Sequence, residues 1–468
     1  MKNEVSLTFY GGIGEIGGNK IKISDKNADI KFFLDFGKSF SIARKYYEFP
    51  FTYPETINEL ISINAIPPDK TIYTHINLKD LKSDNFSKDI EPNPSVDGIF
   101  ISHAHLDHYG HISLLNRKIP IYVGECAKNI IDASARLIYR QASPEQIYNG
   151  LKLITFHSFK EIEMRGKKNS IFLKPIHVDH SIPGAYGVIV YTSKGVIAYT
   201  GDFRFHGPQK QLTEDFVRAL EQEEIKVLIT EGTHIQYSEL SNEQEVKEKV
   251  QNVVDRTRNL VIADFSRSDL DRFATFYDVA RETDRKLVID FKRYLVLKAI
   301  LKTRGILAKN VSMESETVLI LDEEKKKPTP IERNVLASLP EEKKTTMEEI
   351  RKAPQEYIFT VVFGGARDIK KLKPPQGSIY ILSSSEPVDE EREISFERLL
   401  NWLEHFGVAV YHIHSSGHAT PLDIKEVIER AQPEIIIPVH TQYPLLFKNF
   451  VKVGQWEIPE GRGYKVVI

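Results

Sequence analysis

The 468-residue sequence contains a single cysteine, Cys126. One thiol excludes an internal disulfide and fits a reducing compartment, so a cytoplasmic protein is expected. It also excludes cysteine as a main metal ligand. Long apolar runs are missing as well. None approaches the ~18 residues that a membrane-spanning helix needs, so no membrane partner is expected. The opening segment MKNEVSLTFYGG has no apolar core behind a basic stretch, and a signal peptide is not expected. Nor does either charge dominate: 63 Lys and Arg stand against 65 Asp and Glu, a net charge of -2. Any binding to nucleic acid must therefore use a local cationic groove rather than the field of the whole chain. No internal repeat is present.

What is present has the balance of an ordinary globular protein, with 41% hydrophobic and 27% charged residues. At roughly 100–200 residues per domain, the chain has room for two or three. Short β-rich runs bounded by Gly, Asn, Asp or Pro cover Val5–Tyr10, Lys20–Ile23, Lys31–Asp35 and Gly98–Ser102. The runs Gly187–Tyr191 and Val196–Thr200 flank a turn and predict a hairpin. Helical patterns lie at His108–Asn116, Ala127–Tyr139 and Asp215–Glu223. From about Ser241 the texture changes. A charged helix pattern at Glu243–Arg258 precedes a buried strand at Leu260–Asp264, a helix at Ser268–Glu282 and a strand at Lys286–Asp290. Such alternation argues for a parallel α/β sheet.

The run Gly12-Ile13-Gly14-Glu15-Ile16-Gly17 matches G-x-G-x-x-G, with Asp35 placed as a ribose-binding acid would be. That motif needs a helix after the glycines to receive a pyrophosphate. Here Lys20–Ile23 follows, a strand pattern. A tight hairpin whose backbone approaches a site is expected instead.

The strongest chemical signal is Ser102 to His108, SHAHLDH: four potential ligands within six residues, in a chain with 15 histidines. It follows a hydrophobic strand and precedes a helical pattern. Alternate residues His103 and His105 can point to one side of a strand end, and the turn then aims Asp107 and His108 at a neighbouring position. One tetrahedral ion cannot easily take all four from so short a peptide, so two adjacent metals are expected. Imidazole with carboxylate suits zinc, with manganese or iron as alternatives. The remaining ligands must come from elsewhere, preferably from strand ends; His180, Asp202 and His440 are candidates.

HAHLDH resembles the signature of the metallo-β-lactamase fold. Asp35 in Phe33–Gly37 resembles that fold's first motif, His180 its third and Asp202 its fourth. Glu231 in Ile229–Thr233, His418 in Ser415–Ala419 and His440 in Ile437–Thr441 resemble motifs A, B and C of the β-CASP branch, the nucleic-acid-processing nucleases. The segments Gly11–Gly17 and His180–Pro183 are similar to those of ribonuclease J-like enzymes, although motif A has Glu-Gly-Thr where bacterial members usually have Asp-Ser-Thr.

The resemblance implies an α/β protein: a metallo-β-lactamase αββα sandwich formed by residues 1–235 and 396–468, with an inserted α/β β-CASP domain at 236–395. It implies two Zn2+ per chain, or Mn2+. His103, His105 and His180 would hold one ion, Asp107, His108 and His440 the other, and Asp202 would bridge. Asp35 would orient a ligand histidine or the nearby loop. His418 would serve as proton donor with Glu231 holding it. The implied activity is hydrolysis of RNA phosphodiester bonds, as a 5′-to-3′ exonuclease, an endonuclease or both. DNA-directed members generally carry valine at motif C, so His440 points to RNA. Ser268 and Arg272 resemble an RNA-contacting Ser-x-x-His-Arg with Asp271 in place of the histidine; Arg267 and Arg367 are further candidate RNA contacts. A homodimer is compatible with the family. The alternatives are a β-CASP DNA nuclease, a small-molecule hydrolase of the same fold, and an inactive metal-stabilised RNA-binding protein.

Overall fold

A computed structural model of the chain describes residues 4–47, 52–74, 92–138, 150–236, 238, 241–303, 311–323, 328–362, 365–384 and 390–468. It divides into two compact units. The first comprises Met1–Ala135, Ala142–Ser238 and Gly417–Ile468; the second comprises Arg136–Gln141 and Glu239–Ser416.

Among the described residues, the first unit is built on two seven-stranded sheets. One runs in the order Tyr464–Val467, Val5–Gly11, Lys20–Asp25, Ile30–Leu34, Gly98–Ile101, Pro120–Gly124 and Lys152–Phe156. The other runs Gln455–Trp456, Ile435–Val439, Ile225–Glu231, Gly195–Tyr199, Ala185–Thr192, Ser170–Val178 and Ile162–Arg165. Alternate residues of each strand face inward, as the period-two pleat requires. Leu7, Phe9, Ile21, Phe32 and Phe100 of the first sheet thus share one core with Val188, Val190, Tyr199, Ile229 and Ile437 of the second. Each such side chain contributes roughly 1.5–3 kcal/mol on full burial. The helices Lys210–Leu220 and Pro421–Ala431 cover the outer face of the second sheet through Phe216, Val217, Ile424 and Val427. The architecture is the expected αββα sandwich.

Two local features aim this unit's loops. Val5–Gly11 pairs antiparallel with Lys20–Asp25, so the glycine-rich segment is a hairpin loop and no helix follows it. Its Gly12, Gly17 and Gly18 hold φ at 77°, 79° and 74°, values that side-chain-bearing residues seldom adopt. The helix Pro421–Ala431 starts sharply, with Pro421 in its first turn and a reciprocal cap between Thr420 and Asp423. That start fixes the loop carrying His418.

Among its described residues, the second unit holds a seven-stranded sheet in the order Lys344–Thr345, Val318–Leu321, Lys286–Ile289, Tyr357–Val361, Val261–Asp264, Ile379–Leu382 and Ala409–His412, parallel throughout. Its last strand lies beyond residue 395, where the sequence places the end of the inserted domain, and that boundary falls inside the helix Glu390–His405. The strand Ala409–His412 is exposed along its whole length and pairs parallel with Ile379–Leu382 as the outermost strand of this sheet. Among the described residues, no helix is long and apolar enough to cross a membrane.

Candidate metal centre

The strand Gly98–Ile101 delivers Ser102 and His103 into the interior at its C-terminal end, both fully buried. The chain then turns into the short helix Leu106–Tyr109, with His105 as its N-cap residue. The helix is shorter than the pattern His108–Asn116 suggests, because it ends at Gly110 and a 3₁₀ turn, Ile112–Leu114, follows. Asp107 and His108 thereby leave the turn in a second direction.

These residues meet others from distant strand ends. His103 Nε2 lies 3.1 Å from His105 Nδ1, and His180 Nε2 lies 3.1 Å from the same atom. Three donors of a tetrahedral zinc, each at 2.0–2.1 Å, would stand about 3.3 Å apart, so the spacing fits an ion. On the other side, Asp107 Oδ2 is 3.1 Å from His440 Nε2 and 3.8 Å from His108 Nε2. Asp202 joins the two groups. Its Oδ2 lies 3.6 Å from His103 Nε2 and 3.9 Å from His180 Nε2, and also 3.1 Å from His108 Nε2 and 3.6 Å from His440 Nε2. The other Asp202 oxygen, Oδ1, is buried and has no hydrogen-bond partner among the described residues. Among the described residues three overlapping ligand-competent groups result: His103 with His105, His180 and Asp202; Asp107 with His108 and His440; and Asp202 with Glu231, His418 and His440.

The electrostatics also call for a cation. Burial holds His103 and His180 well below the ordinary histidine range, and it lowers His105 to about 4. Neutral imidazoles are the form that binds metal. Burial alone would raise the Asp107 and Asp202 carboxyls, yet the surrounding imidazoles hold both below the usual carboxylate range. His108 is opposed by burial but is raised by Asp202, Asp35 and Asp107, so its proton supplies the charge that these carboxylates require. A bound ion would supply the same charge more fully.

An outer layer fixes the ligands. Asp35 Oδ2 accepts from His108 Nδ1 at 2.7 Å, from Tyr199 Oη at 2.7 Å and from Ser102 Oγ at 2.9 Å, while Oδ1 accepts from Ser102 N at 2.7 Å. This sets the His108 tautomer and leaves Nε2 facing the centre. Asn19 Nδ2 in turn donates to Tyr199 Oη at 2.8 Å. His180 Nδ1 is engaged by the Gly417 carbonyl. A Cβ on Gly17 would sit 2.4 Å from Asp107 Oδ2, and one on Gly417 2.4 Å from Ser181 Oγ, so both positions need glycine for the chain to approach the site. Sequence reasoning missed Tyr199 and Asn19. The available signal was a tyrosine inside an otherwise apolar strand, whose hydroxyl must find a partner when buried.

Beside the second group stand His418 and Glu231. His418 Nδ1 is 2.9 Å from Glu231 Oε2 and 3.8 Å from Asp202 Oδ2. Burial works against its charge, but Glu231 outweighs it, with help from Asp202 and Asp107, and raises His418 to about 9. Thr233 Oγ1, also missed from sequence, lies within hydrogen-bonding distance of Glu231 Oε2, His418 Nδ1 and His440 Nδ1, at 2.8, 3.2 and 2.8 Å.

Comparison with known proteins agrees with this geometry. Residues 63–249 match the β-lactamase superfamily domain, and residues 408–446 match the Zn-dependent metallo-hydrolase RNA specificity domain. The chain carries a metallo-β-lactamase domain and is similar to ribonuclease J. It is 24% identical to ribonuclease J of Mycoplasma genitalium over 95% of this chain and 69% of that protein. It is 26% identical to ribonuclease J 1 of Streptococcus pyogenes over 94% and 69%, and 22% identical to ribonuclease J2 of Bacillus subtilis over the same shares. The fold matches that of a protein of unknown function from Enterococcus faecalis V583 with a TM-score of 0.75, at 23% identity, covering 99% of this chain and 100% of that one. The metallo-β-lactamase domain is a metal-dependent hydrolase domain.

The expected RNA contacts lie in the second unit, and one needs correction. Arg272 is fully buried; its Nη2 pairs with Glu243 Oε1 at 3.1 Å and its Nη1 donates to Ser383 Oγ at 3.0 Å. A guanidinium without solvent access, already bound internally, cannot reach a phosphate. Arg267 pairs with Asp290 at 3.1 Å and stays partly exposed, Ser268 is half-buried, and Arg367 is exposed.

Proposed function

We propose that the protein is a zinc-dependent ribonuclease with two metal positions, acting on RNA phosphodiester bonds as an exonuclease, an endonuclease or both. The observation that carries this reading is the Asp202 carboxylate, shared between two ligand groups, with the His418–Glu231 pair beside it. In this reading His103, His105 and His180 would hold one Zn2+, Asp107, His108 and His440 would hold the second, and Asp202 would serve both; Mn2+ is the alternative. Such a pair supplies hydroxide near neutral pH and offsets phosphate charge. The chain's own groups then act on the leaving side. Glu231 keeps His418 protonated and fixes its ring through Nδ1, so that Nε2 delivers the proton to the departing 3′-oxygen. Asp35 and Tyr199 keep His108 turned toward the centre. Ser268, Arg267 and Arg367 remain candidates for gripping the RNA backbone. A cytoplasmic site of action belongs to the same reading, supported by the single cysteine, and a homodimer is compatible with it.

The test is cleavage of end-labelled RNA bearing a 5′-monophosphate, 5′-triphosphate or 5′-hydroxyl, beside single-stranded DNA and a chromogenic thioester, each with and without chelator. Chelator-sensitive RNA cleavage is expected, and the product ladder separates exonuclease from endonuclease action. Thioester hydrolysis without RNA cleavage would overturn the reading.

A further inference from the structure

We propose that the helix Phe40–Tyr46 and the turn before it form a contact surface for single-stranded RNA at the rim of the metal centre. The proposal rests on the ribonuclease reading, whose substrate it would hold. Lys38 N donates to Leu106 O at 2.9 Å, and a Cβ on Gly37 would fall 1.5 Å from Asp107 O. The segment therefore lies directly against the backbone that carries Asp107 and His108. Leu106, between His105 and Asp107, is itself 41% exposed.

The helix has no buried residue. Short helices draw their stability from packing an apolar face, yet this one leaves Phe40 41% and Tyr46 50% exposed. The N-cap, Ser39 accepting from Ile42 N at 3.2 Å, holds the first turn. Core formation thus does not account for the two rings. The charge is equally one-sided: from Phe36 to Tyr47 the sequence has Lys38, Arg44 and Lys45 and no acid, in a chain of net charge -2. Lys38 Nζ sits 5.9 Å from the Phe40 ring centroid, and Lys45 Nζ sits 5.6 Å from that of Tyr46. Cations and stacking faces are offered side by side. A single strand needs both, rings for its bases and cations for its phosphates, and such contacts tolerate any base sequence.

The test is fluorescence anisotropy of the full metal-loaded chain with a 5′-labelled phosphorothioate oligouridylate, which slows turnover and keeps the backbone charge, across a salt series. Phe40→Ala and Tyr46→Ala should each raise Kd roughly 10-fold, the size of one lost stack. Phe40→Tyr and Tyr46→Phe should keep the affinity of the unaltered protein. Lys45→Gln should reduce the slope of log K against log salt by about 0.7. Unchanged Kd and slope in these variants, with RNA still bound and cleaved, would refute the surface and leave the ribonuclease reading intact. An equal loss in Phe40→Tyr, which keeps the ring, would also refute it. Failure of the unaltered protein to bind or cleave RNA would overturn the ribonuclease reading, and this proposal with it.

Discussion

The backbone N–H of His440 donates to the Gly12 carbonyl at 2.7 Å, and His440 holds its φ at 54°. A left-handed histidine costs on the order of 1–3 kcal/mol and persists only where its surroundings impose it. Here they do. Gly12 N donates to Glu15 Oε1 at 3.3 Å, Ser39 Oγ donates to Glu15 Oε2 at 2.6 Å, and Arg462 forms an ion pair with Glu15 while donating to Tyr10 O at 2.9 Å. Thr441 bridges to Ile13 and Glu15 as well. The Glu15–Arg462 pair thus underlies the placement of one expected ligand. Arg462→Met should weaken one of two metal-binding steps by about 10–100-fold, the usual cost of losing an outer partner, and leave the other nearly unchanged. Calorimetric titration of the metal-free protein reads both steps. Equal weakening of both, or of neither, counts against this account.

Metal content should follow the two groups. The intact protein is expected to hold about two zinc ions, since seven ligands exceed what one four-coordinate ion takes. His440→Ala should lose chiefly one, whereas Asp202→Asn should lower occupancy at both, because Asp202 Oδ2 approaches ligands of each group. Elemental analysis decides the matter. One ion or none in carefully prepared unaltered protein would sink the two-ion reading.

How much of this was legible in the sequence depends on distance along the chain. SHAHLDH announces a metal site because its ligands crowd one strand end, and the structure brings His103, His105, Asp107 and His108 to one centre. His180, Asp202 and His440 are single polar residues at strand ends, and only the family resemblance singled them out. Tyr199 was legible only in part: a tyrosine in an apolar strand must find a partner for its buried hydroxyl, but that partner, Asp35, lies 164 positions away. Glu15 was read only as part of a rejected glycine motif, since its partner Arg462 lies near the other end of the chain. Arg272 was misread because its local pattern resembles a contact motif, while its burial depends on Glu243 and Ser383.

His418 should separate chemistry from metal binding. His418→Ala is expected to keep its metal but lower the cleavage rate by roughly 10²–10⁴, the range of a general-acid contribution. With His418 raised to about 9, the protonated acid is present below that pH and is lost as pH rises through it. Glu231 is the group that raises it, so Glu231→Gln should move the basic limb of the pH–rate profile downward. A fully metallated His418→Ala protein cleaving at the normal rate would remove His418 from the reaction.

Arg272 should prove structural. It is fully buried with its guanidinium on Glu243 and Ser383, and its Nε has no partner among the described residues. Removing one member of a buried ion pair leaves the other charge uncompensated, a loss of about 3–5 kcal/mol, whereas replacing both by apolar residues of similar volume is often neutral. Arg272→Met should therefore lower the unfolding free energy by that amount, and adding Glu243→Leu should recover much of it. The Glu243 side chain keeps slight solvent access, at 10%, which favours the low end of the range. A phosphate contact predicts otherwise: weaker RNA binding and a salt slope reduced by about 0.7, with stability little changed. Denaturant unfolding of the single and double variants, beside RNA binding across a salt series, distinguishes the two. Lowered stability, rescue in the double variant and an unaltered salt slope are the expected results; a reduced slope with unchanged stability would restore Arg272 to the RNA path.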